Sequence, residues 1–156
     1  MSGILYVLIG FPGSGKSYFA NHTVEHSDNF VRVSRDDIRY QLVNDQEHYF
    51  DRENEVYKEY CNRISMYLHQ NKYVLADATH LTHGSRKKLL SHLTEKPDYI
   101  VGLWVNTPFE TCFSRNALRE GIVRVPDAQM YKMRNIFQKP NAKLDNFNEI
   151  MYVRGY

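Results

Sequence analysis

An α/β fold is what this sequence predicts: a parallel sheet of about five strands, covered by helices on both faces. Two observations carry that reading. Strand-length apolar runs alternate with helix-length segments along the whole chain. Residues 10–17, read as Gly-Phe-Pro-Gly-Ser-Gly-Lys-Ser, fit G-x-x-x-x-G-K-S between a strand-like run and a helix-like one. The 156 residues are enough for one domain, taken as 1–156. A chain of that size buries about two-thirds of its unfolded surface on folding.

The elements follow in order. Ile4–Ile9 is an apolar strand, and 16–26 a helix free of Gly and Pro. Phe30–Ser34, with β-branched Val31 and Val33, is a second strand, and 36–44 a short helix. A longer helix spans 51–69 and places Val56, Tyr60, Ile64 and Tyr67 roughly on one face. A third strand covers 73–76. The helix at 82–93 is closed by a Pro97-Asp98 turn. A long apolar strand covers 99–105. Pro108 suits the first turn of the next helix, with Thr107 as its cap and its end near Gly121. Pro126-Asp127 precedes a helix over 128–137, and 149–153 forms a final strand.

Composition narrows the class. Hydrophobic residues make up 42% and charged residues 24%, a globular balance. The net charge is only +2, so any nucleic-acid contact must use a local patch. Cys61 and Cys112 lack metal-ligand spacing and are expected to be packed, reduced thiols. There is no leader pattern and no run near the ~18 apolar residues of a membrane span. The expectation is a cytoplasmic protein without a membrane partner.

The glycine-rich stretch is a phosphate-binding loop. Its glycines let backbone N–H groups of Gly13, Ser14 and Gly15 turn toward phosphate oxygens, and the helix start adds positive potential. Lys16 can reach β- and γ-phosphates, and the Ser17 hydroxyl can ligate Mg²⁺.

Three further stretches converge on the same crevice, at the carboxyl ends of the strands. Ser34-Arg35-Asp36-Asp37-Ile38-Arg39 places Asp36 to accept the proton of an attacking hydroxyl or to hold a metal-bound water. Arg39, three residues on, can orient Asp36 or grip an acceptor phosphate through its guanidinium fork. The bland alternative is a helix-capping Asp36 with a surface Arg39 partner. Asp77 follows the third strand and can hold water around Mg²⁺, bond a substrate hydroxyl, or bond Ser17. Arg115 and Arg119 lie one helical turn apart before Gly121 and Arg124, in a stretch that reads as a lid. Phosphoryl transfer needs positive charge on the moving group, and Arg119 is the first choice for it. His22 and His26 have metal-pair spacing without the required Glu. His80 and His83 read as polar loop residues, with a substrate contact as the alternative, and Ser85-Arg86-Lys87-Lys88 as a solvated basic face or, where it borders the crevice, a phosphate-backbone contact. Tyr40, Tyr49 and Phe50 lie near Arg39 and can stack bases or serve as core.

The order of Gly-x-Pro-Gly-Ser-Gly-Lys-Ser, Ser-Arg-Asp-Asp-Ile-Arg, Asp-Ala-Thr-His-Leu, Arg-Asn-x-x-Arg and Val-Pro resembles the phage-type polynucleotide 5′-kinase domain over essentially the whole chain. The resemblance implies a three-layer P-loop kinase fold with a helical lid at about 119–137. It implies an ATP- and Mg²⁺-dependent enzyme that phosphorylates the 5′-OH end of DNA or RNA. Asp36 then corresponds to the general base and a water-mediated metal contact, and Arg39 to the acceptor-phosphate contact. Lys16, Ser17, Arg115 and Arg119 correspond to the donor-side groups, and Asp77 with Thr79 to the acceptor side. The family's acceptor-binding Asp aligns on Asp77 or one position later, on Ala78. No Asp-x-Asp-Gly-Thr phosphatase motif occurs, so 3′-phosphatase activity is not expected. The alternatives are a kinase of the same fold acting on a small hydroxylated molecule, nucleoside or modified base, and a nucleotide-dependent switch that transfers nothing. A switch has no need of a base beside an acceptor clamp.

Overall fold

The computed structural model describes residues 2–154. Met1, Gly155 and Tyr156, the ends of the expected 1–156 domain, lie outside the described residues. The sheet is built from β1 (Ile4–Ile9), β2 (Phe30–Ser34), β3 (Tyr73–Asp77), β4 (Tyr99–Asn106) and β5 (Glu149–Arg154) in the order β2-β3-β1-β4-β5. All four pairings are parallel. The helices are α1 (Lys16–Glu25), α2 (Arg35–Leu42), α3 (Glu53–His69), α4 (His83–His92), α5 (Phe109–Ala117), α6 (Asp127–Ile136) and α7 (Ala142–Asp145), with one 3₁₀ turn at Gly121–Val123.

Two cores make this a three-layer sandwich. On one face Leu5, Val7 and Ile9 of β1 pack with Val56, Tyr60, Ile64 and Leu68 of α3 and Leu89 of α4. On the other, Leu8, Leu75, Leu103 and Val105 pack with Ala20 of α1. Alternate strand residues thus serve opposite layers, as strands buried on both faces require. The α3 seam ends on Leu68, which is fully buried, whereas the expected Tyr67 is only partly buried. Gly102 sits where a Cβ would lie 2.5 Å from the Phe147 ring, so β4 can pass beneath that ring only as glycine.

Two expectations need correction. Arg86 is not part of a solvated face. It is fully buried and donates to the carbonyls of His80, Leu81 and Gln138 and to the Asp145 carboxylate. Asp145 belongs to α7, a single turn capped by Asn141, which is too short for any periodic signature. Thr107 does not cap α5. Its hydroxyl donates to the Ser14 carbonyl at 2.6 Å, and α5 starts after Pro108 with no side-chain cap.

Candidate active site

The carboxyl ends of β1, β2 and β3 open on one side of the sheet, where the connection from β1 runs toward the β2 edge and those from β3 and β4 run toward the β5 edge. The loop after β1 occupies that switch point. Gly13 and Gly15 adopt φ of +84° and +94°, which side-chain-bearing residues rarely adopt. A Cβ on Gly13 would lie 2.6 Å from the Cys112 carbonyl, so α5 closes against the loop only because glycine is there. No side chain caps α1, whose N-cap is Gly15, so its first amides are available to an anion. Three contacts hold the loop. Gly10 N–H donates to the Thr79 carbonyl (3.1 Å), Arg115 to the Gly13 carbonyl (3.3 Å), and Thr107 to Ser14.

Lys16 Nζ donates to the Phe11 carbonyl at 3.4 Å. Burial lowers its pKa, while Asp77 and Asp36 oppose the shift and Arg119 adds to it. Lys16 therefore feels all three of these charges and sits between the loop and the residues that follow β2 and β3. Cys112, beside them, is pushed up to about 11 by burial and is an inert thiol. Both cysteines are buried and unpaired.

Of the three roles open to Asp77, the structure shows one. Its Oδ2 accepts from the Ser17 hydroxyl at 2.9 Å and from Arg32 Nε at 2.8 Å. The register that pairs Ser34 with Asp77 places Arg32 on the same face of the sheet. Ser17 spends its proton on Asp77, which leaves oxygen lone pairs for a hard cation. Thr79 enters through its backbone carbonyl, as described above.

The Ser34–Arg39 box starts α2. Ser34, not Asp36, caps the helix: its hydroxyl accepts from Asp37 N–H at 3.2 Å. The Asp36 side chain is thereby left 86% exposed, with Arg39 Nη1 donating to it at 2.6 Å. Arg39 itself is buried. Its Nε and Nη2 form a fork onto Glu53 at 2.5 and 2.9 Å, and its guanidinium lies over Tyr49 and Phe50 at 5.7 and 5.2 Å. Burial pushes the Glu53 carboxyl up, but the bonds from Arg39 and Arg35 bring it below its ordinary value. Tyr49 is core, whereas Phe50 and Tyr40 are exposed near the box.

The stretch read as a lid begins where α5 ends at Ala117, earlier than expected. Arg119 N–H still bonds the Asn116 carbonyl (3.1 Å), so the chain turns once more before Gly121. Asn116 is fully buried and clamps both the N–H and the carbonyl of Val125, which fixes the far end of that segment. Arg124 pairs with Asp127 at the surface.

The model of a family described as AAA domain matches residues 5–140. The chain belongs to that family. The AAA-domain match covers the loop, the box, Asp77 and the arginines together. Among solved structures, a chain of the Pnkp1/Rnl/Hen1 complex is similar at 30% identity with a TM-score of 0.61, over 73% of this chain and 39% of its own. This chain therefore spans about two-fifths of that relative. A fungal RNA kinase aligns over 99% of this chain and 75% of its own, at 15% identity and TM-score 0.67. Chaetomium thermophilum Kti12 in complex with ADP-AlF3 aligns over 96% and 88%, at 15% identity and TM-score 0.69. The last two likenesses are of fold. No curated protein matches the chain. The fold is the three-layer P-loop kinase fold, and its loop is a nucleotide-phosphate site.

Two site residues escape a sequence reading. Glu53 fixes Arg39 from fourteen positions away, and Arg32 neutralises Asp77 from a strand interior. A charged residue inside the Phe30–Ser34 run was the one available signal for Arg32, since a buried cation demands a partner. Glu53 had none.

Proposed function

We propose that this domain transfers the γ-phosphoryl group of ATP to the 5′-hydroxyl end of DNA or RNA. One observation carries the reading: the exposed Asp36 carboxylate, oriented by a buried Arg39 and electrostatically coupled to Lys16. A carboxylate with one oxygen bound to Arg39 and the other toward solvent suits a hydroxyl approaching the donor phosphate. The likeness to a chain of the Pnkp1/Rnl/Hen1 complex, at 30% identity, supports a nucleic-acid acceptor.

The loop amides and Lys16 hold the β- and γ-phosphates. Ser17, and Asp36 through a water, would hold magnesium, which would supply charge neutralisation on the phosphates. Asp36 receives the hydroxyl proton while the new O–P bond forms and the bond from γ-phosphorus to ADP breaks. The transition state is loose, so Asp36 orients the hydroxyl more than it activates it early. Arg39, held by Glu53, keeps guanidinium edge for the phosphate beside the acceptor hydroxyl. Arg119, with Arg115 at the loop, places positive charge on the group in transit. Asp36→Ala is expected to lower transfer to a 5′-hydroxyl oligonucleotide by a hundredfold or more, the order of a lost general base, with ATP affinity retained. Transfer at the parent rate would overturn the assignment. A panel of oligonucleotides, nucleosides and sugars with γ-labelled ATP reads the acceptor class directly.

A further inference from the structure

A cavity of about 480 Å³ lies between α3 and α4, beyond Glu53. It follows α3 from Glu53 to Asn62, about two and a half turns. Its wall joins the acceptor box, because Glu53 Oε2 accepts from both Arg39 and Arg35. Four features give it one chemical character. The Tyr57 ring carries two cations, Arg35 at 5.1 Å and Lys88 at 4.4 Å. Arg35 Nε is buried without a hydrogen-bond partner, and the buried Tyr57 Oη has the Cys61 thiol, a weak acceptor, beside it. Burial raises the Tyr57 pKa, so its hydroxyl stays a donor. Lys58 adds a third positive charge to the lining.

The only carboxylate in the lining, Glu53, is already engaged by two arginines. Its α3 neighbours Glu55 and Glu59 are taken by Arg52 and Arg63. A buried donor without an acceptor costs free energy, a thiol satisfies a hydroxyl only weakly, and cations gathered on one ring repel each other. Both conditions are relieved by one ligand type, a phosphate group accepting from Arg35, Tyr57 and Lys88.

We infer that the α3–α4 cleft is a second phosphate subsite, which takes an internal phosphodiester of the acceptor strand downstream of the one at Arg39. This rests on the polynucleotide reading above. A free phosphate has the same chemistry, and the test separates the two sources. Contact with a strand makes acceptor length matter. A nucleoside 3′-monophosphate fills the Arg39 position alone, whereas a hexanucleotide reaches both.

The test uses the whole chain and two variants, Lys88→Ala and Tyr57→Phe. The ratio of the hexanucleotide KM to the nucleoside 3′-monophosphate KM is expected to rise about fivefold in each. The salt dependence of hexanucleotide affinity should flatten by about 0.7 in log–log slope for Lys88→Ala, one phosphate contact on a single strand. An unchanged ratio and slope would overturn the strand subsite. Inorganic phosphate titrated into ADP-saturated protein, followed by the ¹H–¹⁵N shifts of α3 and α4 amides, reads the anion site without any transfer reaction. Shifts in the parent that weaken at least fivefold in Lys88→Ala establish the anion site even if no nucleic acid is phosphorylated. Phosphate binding with an unchanged KM ratio assigns the cleft to free phosphate and overturns the strand subsite. No phosphate-dependent shift in the parent, with no effect on the ratio, overturns the subsite altogether.

Discussion

The phosphate loop and the Asp36 box, the proposed donor and acceptor halves of this site, are built in different ways. The donor half is backbone: eight consecutive residues, two of them at positive φ, with an uncapped helix start behind them. The acceptor half is side chain: Asp36 is aimed by Arg39, Arg39 by Glu53, and Glu53 is shared with Arg35. A backbone device is specified by the residues that form it. A side-chain chain is specified by tertiary packing, so each link can be removed alone and its effect should stay on its own side of the crevice.

The largest expected effect breaks the donor half. Gly13→Val forces a β-branched residue to φ +84° and drives its Cβ to 2.6 Å from the Cys112 carbonyl. Backbone strain and overpacking each cost on the order of 1–3 kcal/mol. Affinity for ATP, measured by calorimetry, is expected to fall at least a hundredfold. Oligonucleotide affinity without nucleotide should change much less, because no acceptor link passes through Gly13. An equal loss on both sides would show that the halves are not separable.

Next in size is the joint between them. His80 holds φ +45° and is buried. Its Nδ1–H donates to the Leu8 carbonyl of β1 at 2.6 Å, and its Nε2 accepts from the Tyr60 hydroxyl of α3 at 3.2 Å. Burial lowers its pKa to about 4, against the opposing Leu8 bond and Asp77 charge. Between about pH 6.5 and 4 the unfolded chain binds a proton that the folded protein refuses, so stability falls as pH falls through that window. The loss approaches about 3 kcal/mol at its lower end. Urea unfolding at pH 7, 5.5 and 4.5 should show it. His80→Gln, which cannot titrate, should remove most of the slope. A joint acts on both halves, so loss of nucleotide binding and exposure of the α3 tyrosines should share one midpoint.

The difference in construction also explains what was legible in the sequence. The five strands and the loop were readable because local patterns specify them: apolar runs, β-branched residues, glycines at fixed offsets. Asp36, Arg39 and Asp77 were readable as candidates because they follow strands next to that loop. Their partners were not. Glu53 opens a helix that any exposed acidic residue could open, and its bond to Arg39 exists only once α2 and α3 pack. Arg86 sits in a run of three basic residues that differ in sequence only slightly, and packing against α7 decides which of them is buried.

The smallest effect tests the middle link of the acceptor chain. Glu53→Gln keeps the shape and removes the charge. Arg39 loses a charge-assisted fork, and Arg35 loses the same partner, at a cost of about 1.5–3 kcal/mol for bonds between charged groups. Glu53 is one-third exposed, so solvent screening places the effect near the lower end. Arg39 would still reach Asp36 but would no longer be held from behind. The expected outcome is a fall of about tenfold in kcat/KM for the oligonucleotide, with ATP affinity unchanged. Arg39→Lys should do at least as much, because an ammonium cannot bridge Asp36 and Glu53 as a fork. The double variant should be little worse than Arg39→Lys alone, since both remove the same link. Additive losses would mean that Glu53 acts on the acceptor independently of Arg39, and the acceptor half would then be a set of separate contacts.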